Sequence, residues 1–282
     1  MMPRLGVLGW PVAHSRSPAM HNAALAALQM DGWRYQRLPV PPALFDETVR
    51  ALPSLGFLGA NVTIPHKQAA LALTDRCSAA AREIGAANTL TFAPDGAIAA
   101  ENTDAPGLIA ALGSLTGMPA HPRVLVLGAG GSARAAVWAL RGAGASDVAV
   151  WNRTPERAEM LARELGVRAV RRPEAADLLV NCTSVGLDPR SGVQRSATQQ
   201  EALNQLGLTF DQVGKYSYVV DLVYRAGSTQ LLAAATSHGA GTVDGLEVLV
   251  AQGALSFELW TGRQPPLELM RRAARAEDTT TV

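Results

Sequence analysis

Short apolar runs, typical of buried strands, alternate along the chain with segments whose apolar residues recur at helical spacing. The apolar runs predict strands at 5–9, 33–40, 57–63, up to about 92, 98–101, 124–127, 148–151, 167–170, 178–182, 218–222 and 241–244. Helical spacing predicts helices from 17, 44–52, from 65, after 102, 135–140, 158–165, 231–235, 246–260 and 267–276. Strands that alternate with helices in this way predict an α/β protein built on parallel sheets.

The order of these elements predicts two α/β domains. The first is expected to contain residues 1–104 and to be completed by residues from roughly 246 to 282, which the helix at 246–260 returns to it. The second is expected to contain residues 105–245 and to have a Rossmann-type fold. Because two domains are predicted, we expect the functional site in the cleft between them, and we expect domain closure to be part of the cycle.

A glycine-rich motif opens the second domain. Gly128-Ala129-Gly130-Gly131-Ser132-Ala133 follows the apolar run 124–127 and precedes a helical pattern. This is the G-x-G-x-x-G/A pattern of a dinucleotide-binding unit, in which Gly128 permits the tight turn and Gly130 lets backbone N–H groups approach a pyrophosphate. Ala133 lets the helix pack closely against the strand. Because both flanking elements are predicted, an ordinary glycine-rich turn is the less favoured alternative.

The end of the next strand indicates which dinucleotide binds. NAD-preferring units place an Asp or Glu there to accept a hydrogen bond from the ribose 2′-OH. This chain has Asn152-Arg153-Thr154 instead, with Arg157 one turn further on. A guanidinium can pair bidentately with a 2′-phosphate, and a hydroxyl can donate to it. A solvated helix start would also explain the two arginines, but the pattern favours NADP over NAD.

The first domain carries two candidate chemical features. Ser17-Pro18 predicts a helix start, with Ser17 as the N-cap and Pro18 at the first helical position. With Ser15 it offers two hydroxyls to a carboxylate, although a plain capped helix is the simpler alternative. Lys67 falls in the first turn of the helix predicted to start at Pro65, where the helix dipole disfavours positive charge. Such a conflict is expected at a functional site, where a lysine can exchange protons.

Composition narrows the class of protein. Hydrophobic residues make up 48% and charged residues 17% of the chain, and the formal net charge is +1, which favours neither a nucleic-acid nor a membrane partner. No apolar run reaches ~18 residues, and Gly9 and Pro11 interrupt the first apolar stretch, so neither a membrane span nor a signal peptide is expected. Cys77 and Cys182 lack metal-ligand spacing, so no metal is predicted; we expect reduced, buried cysteines in a cytoplasmic protein.

Several motifs, in their order along the chain, resemble the shikimate dehydrogenase family. They are Ser15-Arg16-Ser17-Pro18-Ala19-Met20-His21-Asn22, Asn61-Val62-Thr63-Ile64-Pro65-His66-Lys67, Gly85-Ala86-Ala87-Asn88-Thr89, Asn102-Thr103-Asp104, Asn152-Arg153-Thr154, Asn181-Cys182-Thr183-Ser184-Val185-Gly186, Asp221-Leu222-Val223-Tyr224 and Gly245 through Gln252. Taken alone, Asn88 would be a turn residue and Thr103 or Asp104 a helix cap. Together the motifs extend from Gly9 to Gly262 and are specific.

The resemblance implies reversible reduction of 3-dehydroshikimate to shikimate by NADPH, in the chorismate and aromatic amino-acid pathway, with a small molecule as the only expected partner. Oligomeric state is left open, a homodimer included. Lys67 and Asp104 would be the catalytic pair, with Lys67 delivering a proton to the forming alkoxide or stabilising its charge. The substrate contacts would be Ser15 and Ser17 on the carboxylate, Asn61, Thr63, Asn88 and Gln252 on ring hydroxyls, and Tyr224 at the border. The cofactor contacts would be Gly128, Ala129, Gly130, Gly131, Ser132 and Ala133 on the pyrophosphate, Asn152, Arg153, Thr154 and Arg157 on the 2′-phosphate, and Thr183, Val223 and Gly245 along the cofactor.

One position departs from the family pattern. The family commonly has Met where this chain has Val248, and the resemblance implies that this side chain helps to seat the nicotinamide, so cofactor affinity is expected to differ. The polar segment 188–196 is expected to be a mobile loop near the cofactor. Two alternatives stay open: a family member with another substrate such as quinate, and a ligand-sensing module that lost the chemistry. The sensor would lack Lys67 or Asp104, and both are present.

Overall fold

The computed structural model describes residues 2–187, 199–225 and 227–276. These residues form two compact units, each with its own sheet. The first contains the chain up to Thr103 and again from Leu249 onward, and the second contains Asp104–Val248. The predicted mobile loop at 188–196 lies outside the described residues. The sequence also predicts a polar, frayed end at 277–282, which lies outside them as well.

The first unit is built on a six-stranded mixed sheet. Its strands are β1 (Arg4–Gly9), β2 (Arg34–Pro39), β3 (Phe57–Val62), β4 (Arg76–Cys77), β5 (Thr89–Phe92) and β6 (Ile98–Glu101), in the order β2-β1-β3-β5-β6-β4. Its first helices are α1 (Ser17–Ala27), α2 (Phe45–Ala51), α3 (Lys67–Ala72) and α4 (Ala79–Ile84). Strands β1, β2 and β3 are parallel, so the loops that leave β1 and β3 emerge at the same edge of the sheet.

Strand β5 is the exception to the parallel arrangement. It pairs antiparallel with both β3 and β6. The cause is the short connection at Asp95-Gly96, where Gly96 adopts a φ of +86° and closes a hairpin too tight for a parallel crossover. The Asp95-Gly96 dipeptide between two apolar runs predicts a hairpin turn, and the structure has the hairpin at these residues.

The second unit is built on a fully parallel six-stranded sheet. Its helices are α5 (Asp104–Leu112), α6 (Gly131–Gly142), α7 (Pro155–Leu165), α8 (Gln199–Gln205), α9 (Phe210–Val213) and α10 (Gln230–Ser237). Its strands are β7 (Arg123–Leu127), β8 (Asp147–Trp151), β9 (Arg168–Ala169), β10 (Leu178–Asn181), β11 (Tyr218–Asp221) and β12 (Gly241–Asp244), in the order β12-β11-β10-β7-β8-β9. Numbered within the unit and taken from the other edge, this is the 3-2-1-4-5-6 order of the doubly wound dinucleotide-binding fold.

Strand β7 shows why this sheet has continuous apolar strands. Val124 and Val126 pack into one hydrophobic cluster, while Leu125 and Leu127 pack into a second. Successive side chains of a strand point to opposite faces, so the sheet is covered on both faces at β7, and positions 124–127 are all buried and apolar, while Arg123 at the start of the strand is exposed. The period-2 alternation of a half-exposed strand is therefore absent from β7.

The last two helices are α11 (Gly245–Thr261) and α12 (Leu267–Arg275). Helix α11 starts in the second unit and continues in the first, and α12 packs on α1. No helix in the described ranges is long and apolar enough to cross a membrane.

Several predicted boundaries of helices and strands are wrong. Helix α3 begins at Lys67 because Pro65 lies in a turn, and helix α1 begins at Ser17 rather than after it. The strand predicted at 167–170 is only two residues long in the structure (β9, Arg168–Ala169). Helices α4, α8 and α9 were not predicted. Cys77 and Cys182 are free, as expected, but partly rather than fully buried.

Candidate functional site

The loops that leave β1 and β3 run side by side. The Thr63 N–H donates to the Leu8 carbonyl at 2.8 Å, and the Trp10 N–H donates to the Ile64 carbonyl at 2.9 Å. A Cβ at Gly9 would overlap the Thr63 methyl group, so glycine allows this close approach. The arrangement places the predicted substrate contact Thr63 beside the chain that leads from β1 to Ser15.

The Ser15–Ser17 turn is held from two sides. The Ser15 side chain accepts the Ser17 N–H at 3.3 Å, and the Ser15 carbonyl accepts two hydrogen bonds from the Arg37 guanidinium, at 3.1 and 2.9 Å. Both serine side chains are buried. Arg16 occupies the N-cap position without a side-chain cap bond, so the prediction that Ser17 caps the helix is wrong. Burial, and then the charge of Arg37, lower the pKa of His14.

A buried amide joins three distant parts of the first unit. The Asn88 Oδ1 accepts the Thr103 N–H at 2.7 Å, which fixes its Nδ2 as the donor. This Nδ2 donates to the Thr103 hydroxyl at 2.9 Å and to the Gln252 Oε1 at 3.0 Å. The Gln252 Nε2 donates to the Leu249 carbonyl at 2.8 Å, which fixes the second amide as well. Two predicted substrate contacts, Asn88 and Gln252, therefore lie together.

Asn61 extends this network. Its Oδ1 accepts from the Tyr35 hydroxyl at 2.7 Å, and its Nδ2 lies within 3.2 Å of the Thr89 hydroxyl and 3.1 Å of the Ser256 hydroxyl. Asn61 is buried, and so are Tyr35, Thr89 and Ser256. Sequence reasoning missed Tyr35 and Ser256, because only their position in space links them to Asn61.

The predicted catalytic residues each begin a helix. Lys67 is the first residue of α3, and its carbonyl accepts the Ala87 N–H at 2.8 Å, which ties the start of the helix to the segment before Asn88. Asp104 is the first residue of α5 and directly follows Thr103 in the chain. The Thr103 hydroxyl bonds to Asn88 and Thr89, which gives it a role in the buried network rather than as a simple helix cap.

The glycine-rich loop of the second unit has the backbone that the motif predicts. Gly128 has a φ of +110°, and a Cβ there would press on the backbone of Cys182 at 3.2 Å, so both conformation and space call for glycine. Gly130 precedes α6, and a Cβ there would meet no atom within 4 Å. Gly131 opens the helix, and Ala133 is fully buried in the core. This open helix N-terminus fits a pyrophosphate.

The segment after β8 presents polar groups to solvent. Arg153, Thr154 and Arg157 are exposed, while the Asn152 side chain donates to the Thr154 carbonyl at 2.9 Å and shapes the turn. Helix α7 begins after Thr154, and Thr154 makes no cap bond with its side chain. Its hydroxyl and both guanidinium groups suit a phosphate, so the residues present fit NADP.

A buried carboxylate lies at the end of β11, next to the end of β10. The Asp221 side chain accepts hydrogen bonds from Asn181, the Val223 N–H and Thr229, at 2.8, 3.1 and 2.7 Å. Burial raises the pKa of Asp221 to about 6, although these hydrogen bonds act in the opposite direction. The predicted cofactor contact Thr183 donates to the Asn181 Oδ1 from both its N–H and its hydroxyl, at 3.0 and 2.8 Å.

The remaining predicted residues lie in the second unit. Gly245 begins α11, and a Cβ there would overlap the Leu222 carbonyl oxygen. Tyr224 is partly buried after β11, and Val248 is buried in the core. Ala129 lies within the glycine turn, between Gly128 and Gly130, and Ser132 is the second residue of α6. Across residues 2–187, 199–225 and 227–276, no group of three His, Cys, Asp or Glu side chains could hold a metal ion.

Comparison with known proteins identifies the family. Residues 7–90 match the shikimate dehydrogenase substrate binding domain, residues 114–185 match shikimate / quinate 5-dehydrogenase, and residues 245–275 match the shikimate 5'-dehydrogenase C-terminal domain. A shikimate dehydrogenase (NADP(+)) from Thermus thermophilus is 45% identical over 280 residues, which cover 97% of this chain and 98% of that protein. The chain belongs to the shikimate dehydrogenase family.

Solved structures of shikimate dehydrogenases share the fold. A crystal structure of the Thermus thermophilus enzyme in complex with NADP(H) and shikimate is 42% identical, covers 97% of this chain and 99% of its own, and has a TM-score of 0.84. The Aquifex aeolicus shikimate dehydrogenase is 33% identical, covers 98% of each chain and has a TM-score of 0.85.

Some residues of the motifs shared with the shikimate dehydrogenase family had no predicted role, yet they make hydrogen bonds in the structure. They are Asn102, whose amide donates to the Ala86 carbonyl at 2.9 Å, and Asn181 and Asp221 in the second unit. The available signal was a polar residue at or just past the end of an apolar strand.

Proposed function

We propose that this protein catalyses the reversible NADPH-dependent reduction of 3-dehydroshikimate to shikimate, a step toward chorismate and the aromatic amino acids. The observation that carries the proposal is the match to an NADP(+)-named shikimate dehydrogenase over 97% of this chain. The residues that such a reaction requires are present, and their surroundings suit the assigned roles.

NADP is held by the second unit. The backbone of Gly128–Ala133 receives the pyrophosphate, since α6 offers an open N-terminus there. Asn152, Arg153, Thr154 and Arg157 receive the 2′-phosphate. Thr183, Val223 and Gly245 border the remainder of the cofactor, whose nicotinamide supplies or accepts the hydride when bound.

The first unit binds the substrate. Ser15 and Ser17 bind the carboxylate, and the two hydrogen bonds from the Arg37 guanidinium to the Ser15 carbonyl hold this turn in place. Asn88 and Gln252, with Asn61 and Thr63, bind the ring hydroxyls. Because both Nδ2 hydrogens of Asn88 are already donated, a substrate hydroxyl that accepts a hydrogen bond from this Nδ2 must replace Gln252 or Thr103 as the acceptor. Tyr224 borders the bound substrate.

Lys67 is the proton donor in the proposed reduction. Its ammonium group donates to the oxygen of the reacting carbonyl as the alkoxide forms, and Asp104 is the second member of the proposed catalytic pair. The position of Lys67 supports this role, because it is the first residue of α3 and its carbonyl accepts the Ala87 N–H, one residue before the proposed substrate contact Asn88.

The test is an absorbance assay of NADPH formation, with shikimate or quinate offered together with NADP or NAD. Turnover with shikimate and NADP, and much less with the other pairs, is expected. Comparable turnover with quinate or NAD would move the protein to a broader quinate/shikimate specificity. A folded protein that binds NADP but turns over neither substrate would refute the proposed activity and favour the sensor alternative.

A homodimer and a cytoplasmic location are further proposals about this protein. The two free cysteines suit a reducing compartment, and the net charge of +1 gives no reason to expect a nucleic-acid partner. Sedimentation equilibrium of the purified protein would measure its mass, and 29.6 kDa would exclude the dimer.

A further inference from the structure

Asp221 is a buried carboxylate with no assigned part in the reaction. It is 1% exposed and ends β11, beside the end of β10. A buried carboxylate is costly unless each oxygen receives hydrogen bonds. Here the Oδ1 accepts from the Asn181 Nδ2 and the Val223 N–H, and the Oδ2 accepts from the Thr229 hydroxyl. The donors come from three different segments, so the carboxylate joins all three.

One of these segments leads to Thr183. The Asn181 Oδ1 accepts both the N–H and the hydroxyl of Thr183, so the orientation of the Asn181 amide is set and its Nδ2 must face Asp221. The Thr183 hydroxyl in turn accepts the Val185 N–H at 3.1 Å. The turn after β10 is therefore held by a chain of hydrogen bonds that ends on the carboxylate.

The other two segments follow β11. Val223 is only two residues beyond Asp221, and its N–H points back to the same Oδ1 that holds Asn181. Thr229 is the N-cap of α10, where its hydroxyl also accepts the Leu232 N–H at 3.2 Å. The carboxylate thus determines how the chain leaves β11 and where α10 begins.

We propose that Asp221 is a positioning residue for NADP, which holds Thr183 and Val223 in the orientation that binds the cofactor. The inference rests on the proposed function, because it takes Thr183 and Val223 as cofactor contacts. Asp221 itself touches neither cofactor nor substrate in this role. It acts through Asn181 on one loop and through the Val223 N–H on the other.

The experiment compares Asp221→Ala with Asp221→Asn. The alanine variant loses every bond of the carboxylate, whereas an asparagine can keep its oxygen toward Asn181 and Val223 and turn its amide toward the Thr229 oxygen. Calorimetry measures the Kd for NADP, and steady-state assays give the two KM values and kcat. We expect Asp221→Ala to raise the Kd and KM for NADP by about tenfold or more and leave the KM for shikimate nearly unchanged. Asp221→Asn should stay within about threefold of wild type.

Thr209→Ala is the matched control. Thr209 caps α9 in the same unit, where its hydroxyl accepts the Gln212 N–H, and among residues 199–225 and 227–276 it makes no hydrogen bond to the Val223 segment, nor any to Thr183. It should lower stability and leave the Kd for NADP unchanged. Should Asp221→Ala fail to fold, Asn181→Ala removes the two Thr183 bonds and one donor of the carboxylate, but leaves the Val223 N–H and Thr229 bonds to Asp221. It should raise the Kd for NADP as well.

Two results would overturn the inference. One is a wild-type Kd for NADP in folded Asp221→Ala or Asn181→Ala, and the other is an equal loss in Thr209→Ala. Wild-type protein that binds NADP but does not oxidise shikimate would refute the proposed function alone, since the Kd comparison needs no turnover. Wild-type protein that fails to bind NADP would overturn both.

Discussion

Replacing His21 with phenylalanine should make the protein more resistant to acid. His21 lies on α1 with no exposed surface, and neither ring nitrogen has a hydrogen-bond partner in the described part of the chain. Its ring stacks on Tyr35 at 4.2 Å with an interplanar angle of 6°, and the rings of Phe257 and Trp260 lie about 6 Å away. Burial lowers the pKa of His21 to about 3. A phenylalanine keeps the stack and cannot titrate.

The size of the effect follows from proton linkage. In the unfolded chain His21 has an ordinary pKa of 6.5, so below this pH the unfolded state binds a proton that the folded state rejects. The folded state therefore loses stability as the pH falls, by about 1.4 kcal/mol per pH unit, until the folded pKa is reached. Between pH 7 and pH 4.5 the loss from this one group is roughly 2.5–3 kcal/mol.

Urea unfolding at pH 7 and at pH 4.5 measures this loss. Circular dichroism and tryptophan fluorescence would follow the transition, the latter helped by Trp260 beside the ring. The decrease in the free energy of unfolding between the two pH values should be roughly 2.5–3 kcal/mol larger for wild type than for His21→Phe. His121→Phe is the control, because that ring is exposed and bonds only to the Gly144 carbonyl among the contacts described.

Equal pH dependence in wild type and His21→Phe would refute the reasoning. It would mean that His21 takes up its proton in the folded state as easily as in the unfolded chain, so that the buried ring is reached by water. Loss of shikimate turnover in a folded variant would show a different error, namely that His21 contributes to the site beyond packing on Tyr35.

Four further predictions follow from the structure. Lys67→Ala should lower kcat far more than it raises KM in steady-state assays, and an unchanged kcat would rule out its proton role. Arg153→Ala should raise the KM for NADP by about tenfold without changing that for NAD; equal effects on both would contradict a 2′-phosphate contact. Gly245→Ala should lower the free energy of unfolding in urea by about 1–3 kcal/mol, because the Cβ of the new alanine would overlap the Leu222 carbonyl. An unchanged midpoint would show that the turn can rearrange to accept the Cβ. Since burial raises the pKa of Asp221 to about 6, the contribution of this one group to the free energy of unfolding should fall as the pH rises from about 4 to 6. The difference in that free energy between wild type and Asp221→Asn should therefore change over this range in pH-dependent unfolding, and a constant difference would contradict the prediction.

Local pattern was enough to predict most of the elements. Strand β6 was predicted at the residues where it occurs, and β7 and β8 within one residue, because an apolar run bounded by turn residues is a local signal. The glycine motif likewise predicted the tight turn at Gly128, since a positive φ beside another backbone leaves few alternatives. Helix starts were less well predicted: Pro65 suits a first helical position, yet the chain turns there and α3 begins two residues later.

By itself, the sequence determined the α/β class, the order of the elements and the residue types that carry the chemistry, because these depend on spacing over a few residues. Only the tertiary structure decided which polar groups meet. Asn88 and Gln252 are 164 residues apart in the chain, and Asn181 and Asp221 are 40 apart. Hydrogen bonds of this kind depend on strand order and helix packing, which no local period encodes. They leave the Asn88 and Asn181 amides with one orientation each, which the residue names alone could not reveal.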